Sequence, residues 1–353
     1  MAETKEPQAP SSTPARGAVK PGTGESATGI EKDTAGLADV ARVSNAVRES
    51  VGRIIVGKKE VVELLLVGLL CEGHILLEDV PGVGKTMMAR SLAATLGLRF
   101  ARVQCTPDLL PGDLVGTSVY NPNTREFEFR AGPVMNQIVL TDEINRATPR
   151  TQSALLEAMG EFQVTVDGVT RKLDPPFLVV ATQNPIEFEG TFPLPEAQLD
   201  RFLLRVQMGY PTEGEEREVV LRQVRGERPD KLTSVATPDD IVRAQVATRT
   251  VHVDVDLLRY IVELVNATRK HQDVALGGSP RASINIFRAA QALAAVRGRD
   301  YVLPDDVQYL APYVLNHRII LKPESQLRGK QASDVVKEVL ERQALPIEEG
   351  AGG

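Results

Sequence analysis

Residues 79–86 read Asp-Val-Pro-Gly-Val-Gly-Lys-Thr and include the residue types that bind phosphate groups. A short apolar run precedes them and a helical pattern follows, which is the context that a phosphate-binding P-loop requires. Gly82 and Gly84 would let backbone N–H groups approach phosphate oxygens, and the helix N-terminus would add partial positive charge. Lys85 would reach the β- and γ-phosphates, and Thr86 would bind Mg²⁺. The alternative is a chance match in an ordinary turn between a strand and a helix.

One position of this loop departs from the general P-loop pattern, because Asp79 stands where the first glycine is usual. Aspartate tolerates unusual backbone angles better than most residues. We therefore expect the loop to remain a phosphate site. The largest effect that we expect from Asp79 is a lower affinity for phosphate.

A second apolar run, residues 138–141, ends in the adjacent acids Asp142 and Glu143. This pattern predicts a buried strand that delivers two carboxylates to its C-terminal edge, where open α/β sheets bind ligands. Asp142 suits Mg²⁺ binding, directly or through water, and Glu143 suits polarising an attacking water as a general base. A solvated acidic turn would explain this motif alone, but it poorly explains two motifs in the right order.

A third apolar run, residues 177–181, is followed by Thr182, Gln183 and Asn184. A polar amide at the end of a strand can hold the attacking water or the γ-phosphate, although Asn184 taken alone is typical of a turn. Further short apolar runs alternate with helical patterns. We therefore expect a parallel α/β sheet that is covered by helices on both faces.

Two predicted β-hairpins interrupt this alternation, at residues 117–130 and 163–173. The first has a polar tip at residues 121–125, and the second contains Asp-Gly, a strong signal for a hairpin turn. The hairpins either couple the activity of the protein to a partner or simply pack on the core. Helical patterns dominate after residue 210. We expect a disordered tail at 1–36, an α/β domain at 37–210, an all-α domain at 211–335 and a second tail at 336–353.

Composition bounds the function further. The 353 residues carry 41 Lys and Arg against 47 Asp and Glu, so a formal charge of −6 gives no overall electrostatic attraction to nucleic acid. The longest apolar stretch is too short for a membrane span, and the four histidines lack metal-ligand spacing. Cys71 and Cys105 are expected to be buried and reduced in a cytoplasmic protein.

Four runs together resemble the MoxR family of AAA+ ATPases. They are Asp-Glu-Ile-Asn-Arg-Ala at 142–147, Ala-Thr-Gln-Asn-Pro at 181–185, Pro-Glu-Ala-Gln-Leu-Asp-Arg-Phe at 195–202 and Ser-Pro-Arg-Ala-Ser at 279–283. The similarity covers about residues 40–320 in the family's order. It implies a P-loop AAA+ sheet between layers of helices, a C-terminal all-α lid, and ATP with Mg²⁺ bound between the two domains.

The resemblance also implies a role for individual residues. Asn184 corresponds to sensor 1, Arg201 to an arginine finger and Arg281 to sensor 2, which with Glu143 make up the expected catalytic set. Thr86 and Asp142 are the expected Mg²⁺ ligands. The hairpins correspond to the family's helix-2 and pre-sensor-1 inserts. The expected nucleotide-binding residues are Val56, Gly57, Pro81, Gly82, Val83, Gly84, Lys85, Thr86, Met87 and Asp142, with Val56 and Gly57 near the adenine.

The two arginines can also be interpreted from local sequence. Arg201 is expected to begin a strand and to point from the sheet edge into a neighbouring subunit's site, the alternative being an ion pair with Glu196 or Asp200. Arg281 follows Ser279-Pro280 and so lies in a helix first turn, where its charge opposes the helix dipole. That cost predicts an anionic partner such as the γ-phosphate.

The family implies a homo-oligomeric ring of about six subunits, for which Arg146 and Arg150 are further interface candidates. It also implies remodelling or maturation of client proteins, often with a partner that carries a von Willebrand factor type A-like domain. Two alternatives remain open: a chelatase-type motor for metal insertion, and a nucleotide-switched binding module without efficient turnover. Glu143 argues against the second, and nothing in the sequence supports a DNA-acting motor.

Overall fold

The computed structural model describes residues 27–80, 82–184 and 190–345. Residues 1–26 of the predicted N-terminal tail, Pro81 of the P-loop and residues 346–353 of the predicted C-terminal tail lie outside this part of the chain. Within it, the first helix already begins at Thr34 and the last runs from Ala332 to Arg342, so ordered elements extend into both predicted tails.

A five-stranded parallel sheet forms the centre of the first domain, as the sequence predicts. Its strands are β1 Ile75–Glu78, β2 Phe100–Gln104, β5 Ile138–Asp142, β8 Leu178–Gln183 and β9 Leu204–Val206. Their order across the sheet is β2-β5-β8-β1-β9. In this register Gln104 pairs with Asp142 and Glu78 with Gln183, so the strand ends that carry the predicted motifs align at one edge.

Helices cover both faces of this sheet because its side chains alternate between two cores. In β1, Ile75 and Leu77 belong to one buried cluster and Leu76 to the other, and β5 and β8 repeat this alternation. The helices of this region are α1 Thr34–Gly52, α2 Lys59–Leu70, α3 Lys85–Leu96, α4 Pro111–Val115, α5 Pro149–Glu161 and α6 Glu196–Leu199. Cys71 and Cys105 are buried and unpaired, and burial raises the pKa of each thiol to about 12.

Both predicted hairpins are present and lie against each other. The first consists of β3 Gly116–Asn121 and β4 Glu126–Ala131, and the second of β6 Gln163–Val166 and β7 Val169–Lys172. The guanidinium of Arg171 stacks on the ring of Phe129 at 3.9 Å. Tyr120 and Phe127 pair near the tip of the first hairpin and remain exposed.

The C-terminal region is helical, with one small addition that the sequence did not predict. Its elements are α7 Glu213–Val224, α8 Pro238–Thr248, α9 Val255–Lys270, β10 Val274–Leu276, α10 Pro280–Val296, α11 Pro304–Leu315, β11 Ile320–Leu321, α12 Pro323–Leu327 and α13 Ala332–Arg342. Strands β10 and β11 form a short antiparallel pair, so the region is not strictly all-α. Thr212 and Thr237 cap α7 and α8 in reciprocal pairs with Glu215 and Asp240. None of the described helices combines the length and apolar character that crossing a membrane requires.

Candidate functional site

The P-loop connects β1 to α3, as the sequence predicts. Gly82 and Gly84 adopt left-handed angles, with φ of 85° and 93°, which glycine reaches without strain. Among the described residues, no atom would lie within 4 Å of a Cβ at either position, so this side of the loop is open. Gly84 is the N-cap of α3 and offers no capping side chain. The first amides of this helix are therefore suited to an anion from outside the chain.

A cavity of about 420 Å³ lies over this loop and the aligned strand ends. It brings together the predicted residues of all three motifs. Its walls are formed by Gly82, Gly84, Lys85, Thr86, Met87, Arg90, Arg102, Gln104, Asp142, Glu143, Thr182 and Asn184. Asn184 is buried and lies just beyond the end of β8.

Lys85 lies at the first position of α3, and its ammonium donates to the backbone oxygen of Asp79 at 2.6 Å. Partial burial lowers the pKa of Lys85, and nearby carboxylates, among them Asp142, oppose this shift. The ammonium thus faces the mouth of the P-loop, where a phosphate chain would meet it.

Thr182 organises the two acids at the end of β5. Its hydroxyl accepts the backbone N–H of Glu143 at 2.9 Å and donates to Asp142 Oδ1 at 3.2 Å. Glu143 adopts a left-handed backbone with φ of 56°, which is unfavourable for a residue with a side chain. The Thr182 bond helps to hold this conformation, which turns the Glu143 side chain into the cavity.

Each acid also contacts a cationic or amide side chain. Arg102 Nε lies 2.6 Å from Asp142 Oδ2, and Gln104 Nε2 donates to Glu143 at 3.1 Å. Arg146 lies 3.1 Å from the same Glu143 carboxylate. Arg146, which the sequence made a candidate for a subunit interface, therefore pairs within its own chain in this structure.

Four residues of the cavity wall were missed from the sequence: Arg90, Arg102, Gln104 and Thr182. Arg102 and Gln104 alternate around the buried Val103 in β2, so both point to the same face of the strand. That alternation was a usable signal, but it required knowing that β2 lies beside β5. Only the order of strands in the sheet shows that β2 and β5 are neighbours.

Thr86 and Asp142 provide the oxygen ligands that Mg²⁺ prefers, a hydroxyl and a carboxylate. Asp142 is largely buried and already attracts the Arg102 guanidinium, so its position favours a cation. Lys85 and the start of α3 supply positive potential for a phosphate chain. These residues fit a nucleoside triphosphate with Mg²⁺.

Arg201 does not begin a strand, contrary to the prediction. It lies in the turn after α6, and β9 begins only at Leu204. Its guanidinium donates to the backbone oxygen of Leu156 at 2.5 Å, and among the described residues it has no ion pair with Glu196 or Asp200. Arg201 is exposed and outside the cavity wall of its own chain.

Arg281 lies in the first turn of α10, as expected, and has an anionic neighbour. That neighbour is Asp200, whose carboxylate lies 3.7 Å away and also binds Arg318 at 2.7 Å. The structure therefore does not bring Arg281 to the phosphate cavity. Val56 and Gly57 also lie outside its wall, in the loop between α1 and α2.

The loop at Val56 and Gly57 instead contacts the helical region. Gly57 has φ of 75°, and a Cβ there would lie 1.7 Å from a carboxylate oxygen of Glu215 in α7. The neighbouring Lys58 donates to the backbone oxygen of Tyr210 at 3.2 Å. This loop thus lies at the junction between the two regions, on the side where α7 begins.

A cluster elsewhere resembles a metal site, but a lysine of the chain already binds its two carboxylates. His271, Asp273 and Glu338 bring three possible ligand atoms within 4.8 Å of one another. The ammonium of Lys330 lies 2.6 Å from Asp273 and 2.9 Å from Glu338. Its hydrogen bond is the main cause that lowers the pKa of Asp273 to about 2. The cluster therefore acts as an ion-pair network that fastens α13.

Comparison with known proteins agrees with this geometry. Residues 74–204 match the model of the ATPase family associated with various cellular activities (AAA), and residues 266–339 match the model of an AAA lid domain. The protein YeaC of Bacillus subtilis is 52% identical over 303 residues, which cover 86% of this chain and 95% of YeaC. The chaperone MoxR1 of Mycobacterium tuberculosis is 46% identical over 88% of this chain and 84% of its own length.

A solved structure is also similar over most of the chain. It is the crystal structure of a candidate ATPase from Cytophaga hutchinsonii, with a TM-score of 0.82 and 41% sequence identity. The match covers 87% of this chain and 96% of that one. The similarity thus includes both the parallel sheet and the helical region that follows it.

Proposed function

Because the chain belongs to the MoxR family of AAA+ ATPases, we propose that it binds ATP with Mg²⁺ in the P-loop cavity and hydrolyses it. The observation that carries this proposal is the position of Glu143. Its carboxylate lies on the same cavity wall as Lys85 and Thr86, and its backbone is held in a left-handed conformation. A protein that only bound nucleotide would not need a carboxylate held there.

Five residues of the cavity wall have a task in the proposed reaction. Lys85 and the first amides of α3 bind the phosphate chain, while Thr86 and Asp142 would hold Mg²⁺, which would neutralise charge on the phosphates. Glu143 accepts a proton from water as the water oxygen bonds to the γ-phosphorus. The bond from that phosphorus to the bridging oxygen breaks, and ADP leaves with the electron pair. Asn184 orients the water.

We propose that the complete site needs a second copy of the chain. Arg201 is exposed and lies away from its own cavity, in the turn that precedes β9. A guanidinium there is free to reach a neighbour's γ-phosphate once its bond to Leu156 is exchanged. This arrangement supports a ring-shaped homo-oligomer, and six subunits is the number that the family suggests. Arg150 remains a further candidate for the interface.

We propose that the protein acts on other proteins, its clients. The relative with 46% identity is named a chaperone, which favours remodelling of proteins over metal insertion into a tetrapyrrole. The exposed Tyr120 and Phe127 offer an aromatic surface outside the nucleotide cavity. We also propose that the protein works with a partner that carries a von Willebrand factor type A-like domain. We propose a cytoplasmic location for the chain.

The direct test is phosphate release by the purified protein with ATP, in the presence of Mg²⁺ or of a chelator. We expect turnover only with Mg²⁺. Lys85→Ala should abolish binding of a fluorescent ATP analogue, whereas Lys59→Ala, which removes a lysine at the start of α2, should not. Binding by Lys85→Ala at the wild-type affinity would refute the phosphate assignment.

A further inference from the structure

The side chain of Asp79 joins the start of the P-loop to the linker that leads into the helical region. Its Oδ1 accepts the N–H of Val80 at 2.8 Å. Its Oδ2 accepts the N–H groups of Met208 and Gly209 at 2.7 and 2.6 Å. Met208 and Gly209 lie between the end of β9 and the start of α7. One largely buried carboxylate therefore bridges two segments that are 129 residues apart.

Backbone geometry does not explain why an aspartate stands here. Among the described residues of the loop, positive φ occurs at Gly82 and Gly84 and does not occur at Asp79. The first glycine of the general P-loop pattern is thus not needed for conformation in this chain. Tolerance of unusual backbone angles, which the sequence suggested, is not the role of Asp79. Its three accepted hydrogen bonds are the feature that a glycine could not reproduce.

The same residue contacts the phosphate-binding lysine. The backbone oxygen of Asp79 accepts the Lys85 ammonium at 2.6 Å, while its carboxylate holds the linker. A phosphate chain that draws Lys85 away therefore changes a hydrogen bond of the residue that fixes Met208 and Gly209. Beside it, Glu78 and Arg205 form an ion pair between β1 and β9, which keeps the two strand ends together.

We propose that Asp79 is a positioning residue that couples the occupancy of the P-loop to the placement of the helical region. This inference rests on the proposed nucleotide site. The linker is a suitable place for such control, because Gly209 has φ of 65° and α7 starts four residues later. Two hydrogen bonds from backbone N–H groups to one carboxylate are charge-assisted, and they restrain the linker more strongly than neutral bonds would.

The coupling is tested with Asp79→Gly, which restores the usual P-loop glycine, and with the near-isosteric Asp79→Asn. Asp240→Asn is the matched control, because Asp240 accepts a backbone N–H only within the helical region. Three quantities are measured: hydrogen exchange of the segment 206–212 without nucleotide and with ADP, the Kd for ADP, and the kcat and KM for ATP.

For Asp79→Gly we expect exchange of the segment 206–212 to rise about tenfold and to lose its response to ADP, because both bonds to the carboxylate are gone. The Kd for ADP and the KM should stay within about threefold, while kcat falls about tenfold. Asp79→Asn should give values between those of Asp79→Gly and the wild type, and Asp240→Asn should match the wild type.

The exchange measured without nucleotide does not depend on ATP hydrolysis, so a wild type that lacks turnover would refute the proposed function separately. Wild-type exchange and kcat in Asp79→Gly, or loss of ADP binding with an unchanged linker, would overturn the coupling role.

Discussion

The guanidinium of Arg102 binds the carboxylate of Asp142, with 2.6 Å between Nε and Oδ2. Arg102 comes from the edge strand β2, whereas Asp142 ends β5 and is the residue proposed to hold Mg²⁺. An arginine of the same chain would thus compete with bound Mg²⁺ for one carboxylate.

We expect Arg102→Ala to lower the Mg²⁺ concentration that gives half-maximal ATPase activity by about two- to fivefold, since the pair is partly exposed and therefore weak. Mg²⁺ titration of phosphate release is the measurement. Arg99→Ala is the control, because Arg99 pairs with Asp174 at 2.7 Å away from the cavity wall. An unchanged Mg²⁺ requirement in Arg102→Ala would show that the pair does not compete with the metal.

The hydroxyl of Thr182 is predicted to matter for turnover more than for binding. Thr182→Val leaves the Glu143 N–H without its acceptor and lets the left-handed backbone relax, so we expect kcat to fall about tenfold. The Kd for ATP should change little, and the free energy of unfolding should fall by about 1–3 kcal/mol. Thr182→Ser keeps the hydroxyl and should retain most activity. Equal loss of kcat in both variants would contradict a specific role of the hydroxyl, because only Thr182→Val removes it.

A shared site predicts complementation between two inactive variants. Arg201→Ala should bind ATP normally and hydrolyse it at least a hundredfold more slowly, because it lacks the charge offered to a neighbour. Mixing it with Lys85→Ala subunits should restore part of the activity. Arg259→Ala, which removes another exposed arginine, should hydrolyse at the wild-type rate. No recovery in assemblies that demonstrably contain both variants would contradict a shared site.

The aromatic pair of the first hairpin predicts a contact with clients. Tyr120 and Phe127 lie with ring centroids 5.5 Å apart and are 50% and 74% exposed. We expect the double change to alanine to preserve basal ATPase activity and to abolish its stimulation by a chemically unfolded protein such as carboxymethylated α-lactalbumin. Leu327→Ala removes an exposed apolar side chain of α12 and serves as the control. Full stimulation of the double variant would show that this hairpin packs on the core without contacting clients.

The sequence predicts where the P-loop and the acids Asp142 and Glu143 lie in the fold, because both motifs rest on local patterns. Buried strands of a parallel sheet are short apolar runs, and the polar residues that follow them, such as Asp142 and Asn184, fall at one edge. The Asp-Gly pair at residues 167–168 likewise predicts its hairpin, since both residues have positive φ there.

Residues whose roles depend on distant partners could not be predicted in the same way. Arg102 is explained only by the pairing of β2 with β5, and Asp79 only by linker amides 129 residues away. Arg281 was expected to need an anion, but sequence spacing could not show that Asp200 would provide it in this structure. Long-range contacts, not local propensity, decide these three positions.

The substitution Glu143→Gln tests whether Glu143 is the base of an ATP-hydrolysing site. The amide keeps the size of the side chain and leaves Lys85, Thr86 and Asp142 in place, but it cannot accept the proton of water. We measure the Kd for ATP and the rate of phosphate release under single-turnover conditions. We expect an unchanged Kd and a rate reduced by about a hundredfold or more. Hydrolysis of bound ATP by Glu143→Gln at the wild-type rate would contradict the role of Glu143 as the base.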